Sequence, residues 1–175
     1  MKVFPLAIGD KKSTCMLYIH ENFSNGHTLF RTQDNENFSG TKYFTKSGDV
    51  KVLPLDSFCK ENKIYPDLIR MDVEGYEYRI IKGMRNTLQA KKPLKLFIEL
   101  HPHIMKKKQT IYVLKTLMTH SFEVKKVTRS FTMPEMKVKS RNEFDFSSNT
   151  IRDLLKDEAI ISGKKGAFEI FFERK

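Results

Sequence analysis

From residue 50 to residue 128 the chain alternates short apolar runs with stretches of helical period, and this alternation restricts the fold more than any other feature. VKVLPLDSFCKENK (50–63) reads as a strand and a short helix capped by Asp56. PDLIRMDV (66–73) reads as a buried strand, followed by a helix to about Ala90 with Tyr76, Ile80, Ile81, Met84 and Leu88 on one face. LKLFIEL (94–100) is the next strand. A helix over about 107–119 presents Ile111, Leu114, Leu117 and Met118, and FEVKKVT (122–128) is the strand after it. Such alternation predicts an α/β fold with a largely parallel sheet covered on both faces.

The flanks are less regular. VFPLAI (3–8) predicts a short strand near a sheet edge, because Pro5 has no N–H for the ladder. TCMLYI (14–19) and HTLFRT (27–32) predict a hairpin-like excursion, and 33–49 a loop punctuated by Gly40 and Gly48. After residue 128 the rhythm is lost until IRDLLKDEA (151–159), a short helix, and AFEIFFER (167–174), a terminal strand. At 175 residues the chain is expected to be one domain, 1–175.

Composition excludes several classes of function. Hydrophobic residues at 39% and charged residues at 30% fit a soluble globular chain rather than a disordered one. The net charge of +11 lies in lysine groups at 11–12, 91–92, 106–108, 125–126 and 164–165, scattered over different elements and without interleaved aromatics. That pattern predicts solvated faces and argues against a nucleic-acid surface. Cys15 and Cys59 are too few and too distant for a metal knuckle or a disulfide framework. No apolar run approaches the roughly 20 residues of a membrane-spanning helix, and MKVFPLAIGD lacks a signal peptide's apolar core. A cytoplasmic location is expected.

The chemistry concentrates at a corner. Asp72 and Glu74 stand where strand 66–73 gives way to its helix, the position at which open α/β sheets bind ligands, and Gly75 eases the turn. Glu99 closes the next strand, followed by His101, Pro102 and His103. Two adjacent parallel strands would bring Asp72, Glu74, Glu99 and His101 to one rim. An acid ending an apolar strand costs desolvation unless a ligand, metal or donor meets it, which singles out Asp72 and Glu99. Glu77 is expected only to complement the helix dipole, Arg70 to pair with a neighbouring acid, and His103 and Cys59 to be structural or surface residues.

VKVLPLDSF, PDLIRMDVEGYEYRIIKGM and KPLKLFIELHP together resemble the second half of the FkbM-type methyltransferases. The shared features are a leucine-aspartate pair, an acid-hydrophobe-acid-glycine corner and a strand ending in glutamate-leucine-histidine-proline. VFPLAIGD resembles the strand and turn before them, and AFEIFFER the family's last strand. The resemblance implies a Rossmann-like class I methyltransferase sheet, mostly parallel with an antiparallel C-terminal strand. It also implies methyl transfer from S-adenosylmethionine to a hydroxyl of a sugar, lipid or small natural product. Carried over by position, Asp72 and Glu74 line the cofactor site, Ala7 and Ile8 lie near the adenine, and Glu99 and His101 face the acceptor. His101, with an ordinary pKa of about 6.5, is the expected general base, oriented by Asp72 and Glu99. In a second variant Asp72, Glu99 and His101 hold a divalent cation that acidifies the hydroxyl, although no metal is expected.

Ahead of Asp72 there is no G-x-G, so the family's first strand with its glycine-rich cofactor turn, and its acid-ended second strand, have no counterpart. The chain is therefore expected to open at the family's third strand, lacking the first two, and to leave an apolar edge beside the Asp72 strand. A missing N-terminal segment or a second copy of the chain would cover that edge. The other functional reading is a catalytically inactive module of the same scaffold, whose basic surface binds an acidic partner or nucleic acid.

Overall fold

The computed structural model describes residues 1–20, 44–129, 150–164 and 166–175. The expectations for 27–32, 33–43 and 130–149 lie outside the described residues. Ala7–Gly9 (β1), Ser13–His20 (β2) and Phe44–Pro54 (β3) form a sheet of order β1-β3-β2, with β1 parallel and β2 antiparallel to β3. The first strand is thus shorter than predicted, and Pro5 stays out of the ladder. The loop predicted over 33–49 is overturned at its end, because Phe44 to Asp49 pair with His20 to Met16. Backbone hydrogen bonds carry that polar stretch as a strand.

Leu55–Asn62 (α1) leads to a second sheet of Leu68–Asp72 (β4), Leu94–Leu100 (β5), Glu123–Arg129 (β6) and Phe168–Arg174 (β7), in the order β4-β5-β7-β6. β4 and β5 are parallel, and β7 runs antiparallel to both its neighbours, as the family resemblance implies for the terminal strand. The connecting helices are Glu77–Lys82 (α2), Arg85–Gln89 (α3), Lys107–Thr119 (α4), Ile151–Lys156 (α5) and Glu158–Ile161 (α6). None of the described helices is long and apolar enough to cross a membrane.

Strand alternation sets the core. Leu94, Leu96, Ile98 and Leu100 are buried and pair in register with Arg174, Phe172, Ile170 and Phe168. Ile80 and Ile81 of α2 and Val113, Leu114 and Leu117 of α4 join the same cluster. On the other face Lys95 is exposed and Phe97, Glu99, Glu169 and Phe171 are half-buried, so the cover expected on both faces is only partial on this one. β4 is likewise an edge strand rather than a buried one, with Leu68, Arg70 and Asp72 exposed and Met71 buried. Where one sheet is expected there are two, because among the described residues β4 pairs only with β5 and β1 only with β3.

The helix predicted to run to Ala90 breaks into α2 and α3 at Gly83 and Met84. A Cβ on Gly83 would stand 1.8 Å from the Gly9 carbonyl oxygen, so glycine is what lets α2 end against β1. Asp10 holds the same junction by pairing with Arg79 at 3.3 Å and Lys82 at 3.7 Å. Asp56 does not cap α1, whose N-cap is Pro54. Its carboxylate instead accepts from the N–H of Asn86 at 2.7 Å and of Thr87 at 2.9 Å, and from the Thr87 hydroxyl at 2.8 Å, capping α3 from outside. At the far end of that helix, the buried Arg174 guanidinium donates to the carbonyls of Thr87, Leu88 and Lys92.

Candidate active site

β4 delivers Asp72 to the mouth of the sheet, and the chain reverses at once: the Tyr76 N–H donates to the Val73 carbonyl at 3.2 Å. Glu74 at φ 50° and Gly75 at φ 91° both occupy the left-handed region. Glycine is required at the second position, since a Cβ there would meet Ile104 Cγ2 at 2.5 Å. Glu74 tolerates its conformation at a cost of roughly 1–2 kcal/mol, and the turn directs its carboxylate toward His101.

His101 follows β5 directly and is 3% exposed. Its Nδ1 is 2.7 Å from Oε1 of Glu77, a fully buried acid whose same oxygen accepts the Gly75 N–H at 3.2 Å. Nε2 faces Glu74 at 3.6 Å and Glu99 at 3.9 Å. Burial alone would lower the pKa of the imidazole. The hydrogen bond and charge of Glu77, with the charges of Glu74 and Glu99, outweigh burial and raise it to about 9. The ring is therefore an imidazolium at neutral pH, donating from Nδ1 to Glu77. Burial raises the Glu74 carboxyl above the ordinary range; the His101 charge opposes that rise, and Asp72, Glu99 and Glu77 reinforce it.

Asp72 and Glu99 are register partners on adjacent strands, so both project from the half-covered face. One donor atom each from Asp72, Glu74 and His101 lies within 4.8 Å of the others. Asp72 also accepts from Arg70 at 3.1 Å, a solvent-screened pair. The same Asp72 lines a cleft of about 450 Å³ between the two sheets, walled by Ala7 and Ile8 beside β3 and by Ile69, Met71 and Tyr76 at the other side.

The family model described as the methyltransferase FkbM domain matches residues 1–157. The chain belongs to the FkbM methyltransferase family. No curated protein and no solved structure gives a match. The FkbM match contains Asp72, Glu74, Glu99 and His101 and stops short of β7, which takes its place through its register with β5. In this FkbM domain the sequence-predicted residues fall into two connected groups. Ala7 and Ile8 share the cleft with Asp72, whereas Glu74 and Glu99 gather around His101, outside the cleft lining. Glu77 is the residue whose part the sequence misses: it is expected only to complement the helix dipole, yet it is fully buried against His101. An acid two residues after the glycine turn can bend back to the Gly75 N–H, but only the neighbouring strand supplies the imidazole that keeps it inside.

Proposed function

We propose that this chain is an S-adenosylmethionine-dependent methyltransferase on a Rossmann-like scaffold, acting on a hydroxyl of a sugar, lipid or small natural product. Family membership supports methyl transfer, and two features of the site suit a sulfonium nucleoside. The cleft offers apolar side chains for a flat ring, and the partly exposed Asp72 puts negative charge in its lining, with a Glu74 oxygen within 4.8 Å of it, where a cation is favoured. When bound, the cofactor supplies a methyl group activated by positively charged sulfur. Ala7 and Ile8 would hold its base, with Asp72 and Glu74 beside the methionine part.

Glu99 and His101 then face the acceptor. Holding oxygen and methyl carbon in line contributes on the order of 7–11 kcal/mol in favourable cases. His101, expected as the base on its ordinary pKa, has no lone pair to offer as an imidazolium. The hydroxyl proton goes instead to Glu99, which stands 3.9 Å from Nε2. His101 acts as the positioning cation for Glu74 and Glu99.

The observation that carries the reading is Asp72, which belongs to both the cleft and the carboxylate cluster. Calorimetric titration with S-adenosylmethionine tests it. Saturable binding is expected for the wild type, weakened at least about tenfold in Asp72→Ala, a loss of about 1.4 kcal/mol. A folded wild type that takes up no cofactor would sink the reading.

A further inference from the structure

We propose that Asp72, Glu74 and His101 form a binding site for one divalent cation, with Glu77 as the residue that aims the imidazole. The site shares Asp72 with the apolar cleft and does not require the reading above.

Geometry comes first. The three donor atoms lie within 4.8 Å of one another. Donors each about 2.1 Å from a shared ion are about 3.0 Å apart at right angles and about 4.2 Å apart when opposite, so a pair at 4.8 Å closes by about 0.6 to 1.8 Å on binding. One imidazole and two carboxylates suit a borderline-hard ion such as Mn²⁺. The ligand set differs from the sequence expectation, as Glu74 replaces Glu99: the left-handed turn brings Glu74 to 3.6 Å from Nε2, closer than Glu99 at 3.9 Å.

Two further observations point to a ligand. Nε2 sits in a ring that is 3% exposed and lies at ion-pair rather than hydrogen-bond distance from two carboxylates, 3.6 Å from Glu74 and 3.9 Å from Glu99. Nδ1 is meanwhile fixed by Glu77, the arrangement in which a carboxylate orients a metal-binding histidine. Glu77 is fully buried, and its Oε2 has no hydrogen-bond partner among the described residues. Four carboxylates, those of Asp72, Glu74, Glu77 and Glu99, surround one imidazole. A cation at Nε2 offsets more of that charge than a proton does; its entry releases the Nε2 proton to solvent and leaves Nδ1–H on Glu77. The partly exposed side chains of Asp72 and Glu74 leave the site open to solvent.

Calorimetric titration of chelator-stripped full chain with Mn²⁺, in the absence of S-adenosylmethionine, tests the proposal. One ion per chain is expected. Asp72→Asn and Glu74→Gln should each weaken binding at least about tenfold. Glu77→Gln, which keeps an acceptor but removes the orienting charge, should cost about 10–100-fold. Circular dichroism establishes that each variant is folded; should Glu77→Gln unfold, the more exposed Asp72→Asn decides the matter. Absence of saturable Mn²⁺ binding to the wild type overturns the proposal, as does unchanged affinity in folded Asp72→Asn and Glu74→Gln. Because no cofactor is present, this result and the cofactor titration succeed or fail separately.

Discussion

His101 is an imidazole kept charged inside the protein by acids on three sides: Glu77 of α2, Glu74 of the turn and Glu99 of β5. The ring of His103 lies 5.8 Å away, and burial, together with the His101 charge, lowers its pKa. A pKa higher in the folded than in the unfolded chain stabilises fully below the unfolded value of about 6.5, and that stabilisation disappears as pH rises through the folded value of about 9. In chelator, stability should therefore decline between about pH 6.5 and 9, by on the order of 3 kcal/mol. Urea unfolding across that window checks it, with His101→Gln expected to remove the decline. A wild type as stable at pH 9 as at pH 6.5 would contradict the assignment. The convergence of Asp72, Glu99 and His101 was legible in the sequence because register and period fix which strand ends share a rim. The burial of Glu77 was not, since it depends on what the next strand places beside it.

Elements are joined here through side chains that leave their own helix or strand. Asp56 stands in the first turn of α1 yet satisfies the free N–H groups of Asn86 and Thr87 at the start of α3. Asp56→Ala should cost about 2 kcal/mol, the upper end for a lost cap, read as a lower urea midpoint at unchanged slope. Asp56→Asn should restore part of the loss by keeping an acceptor, whereas an unchanged midpoint in the alanine variant would show that α3 needs no such cap. Apolar period placed α4, β5 and the core positions Ile80, Ile81, Met84 and Leu88 correctly. It missed the break between α2 and α3, because both halves keep their apolar residues on the core. That break comes from Gly83 closing on the Gly9 backbone, a long-range contact with no local signature.

At the scale of the whole molecule, two sheets of the described residues meet around a cleft rather than merging, and of the residues chosen from sequence for the cofactor Ala7, Ile8 and Asp72 line it whereas Glu74 does not. Ala7 and Ile8 come from the small sheet, whereas Ile69, Met71 and Asp72 come from the edge of the large one. The α/β class was readable from the alternation of elements; the division into two sheets was not, because it turns on which strand edges find partners. If the cleft holds the methyl donor, the donor must touch both walls at once. Ultraviolet crosslinking of methyl-labelled S-adenosylmethionine, followed by peptide mapping, measures this directly. Label is expected on peptides containing Ala7 and Ile8 or Ile69 to Asp72, and excess S-adenosylhomocysteine should suppress it. Label confined to other peptides, or insensitive to that competitor, would contradict the account.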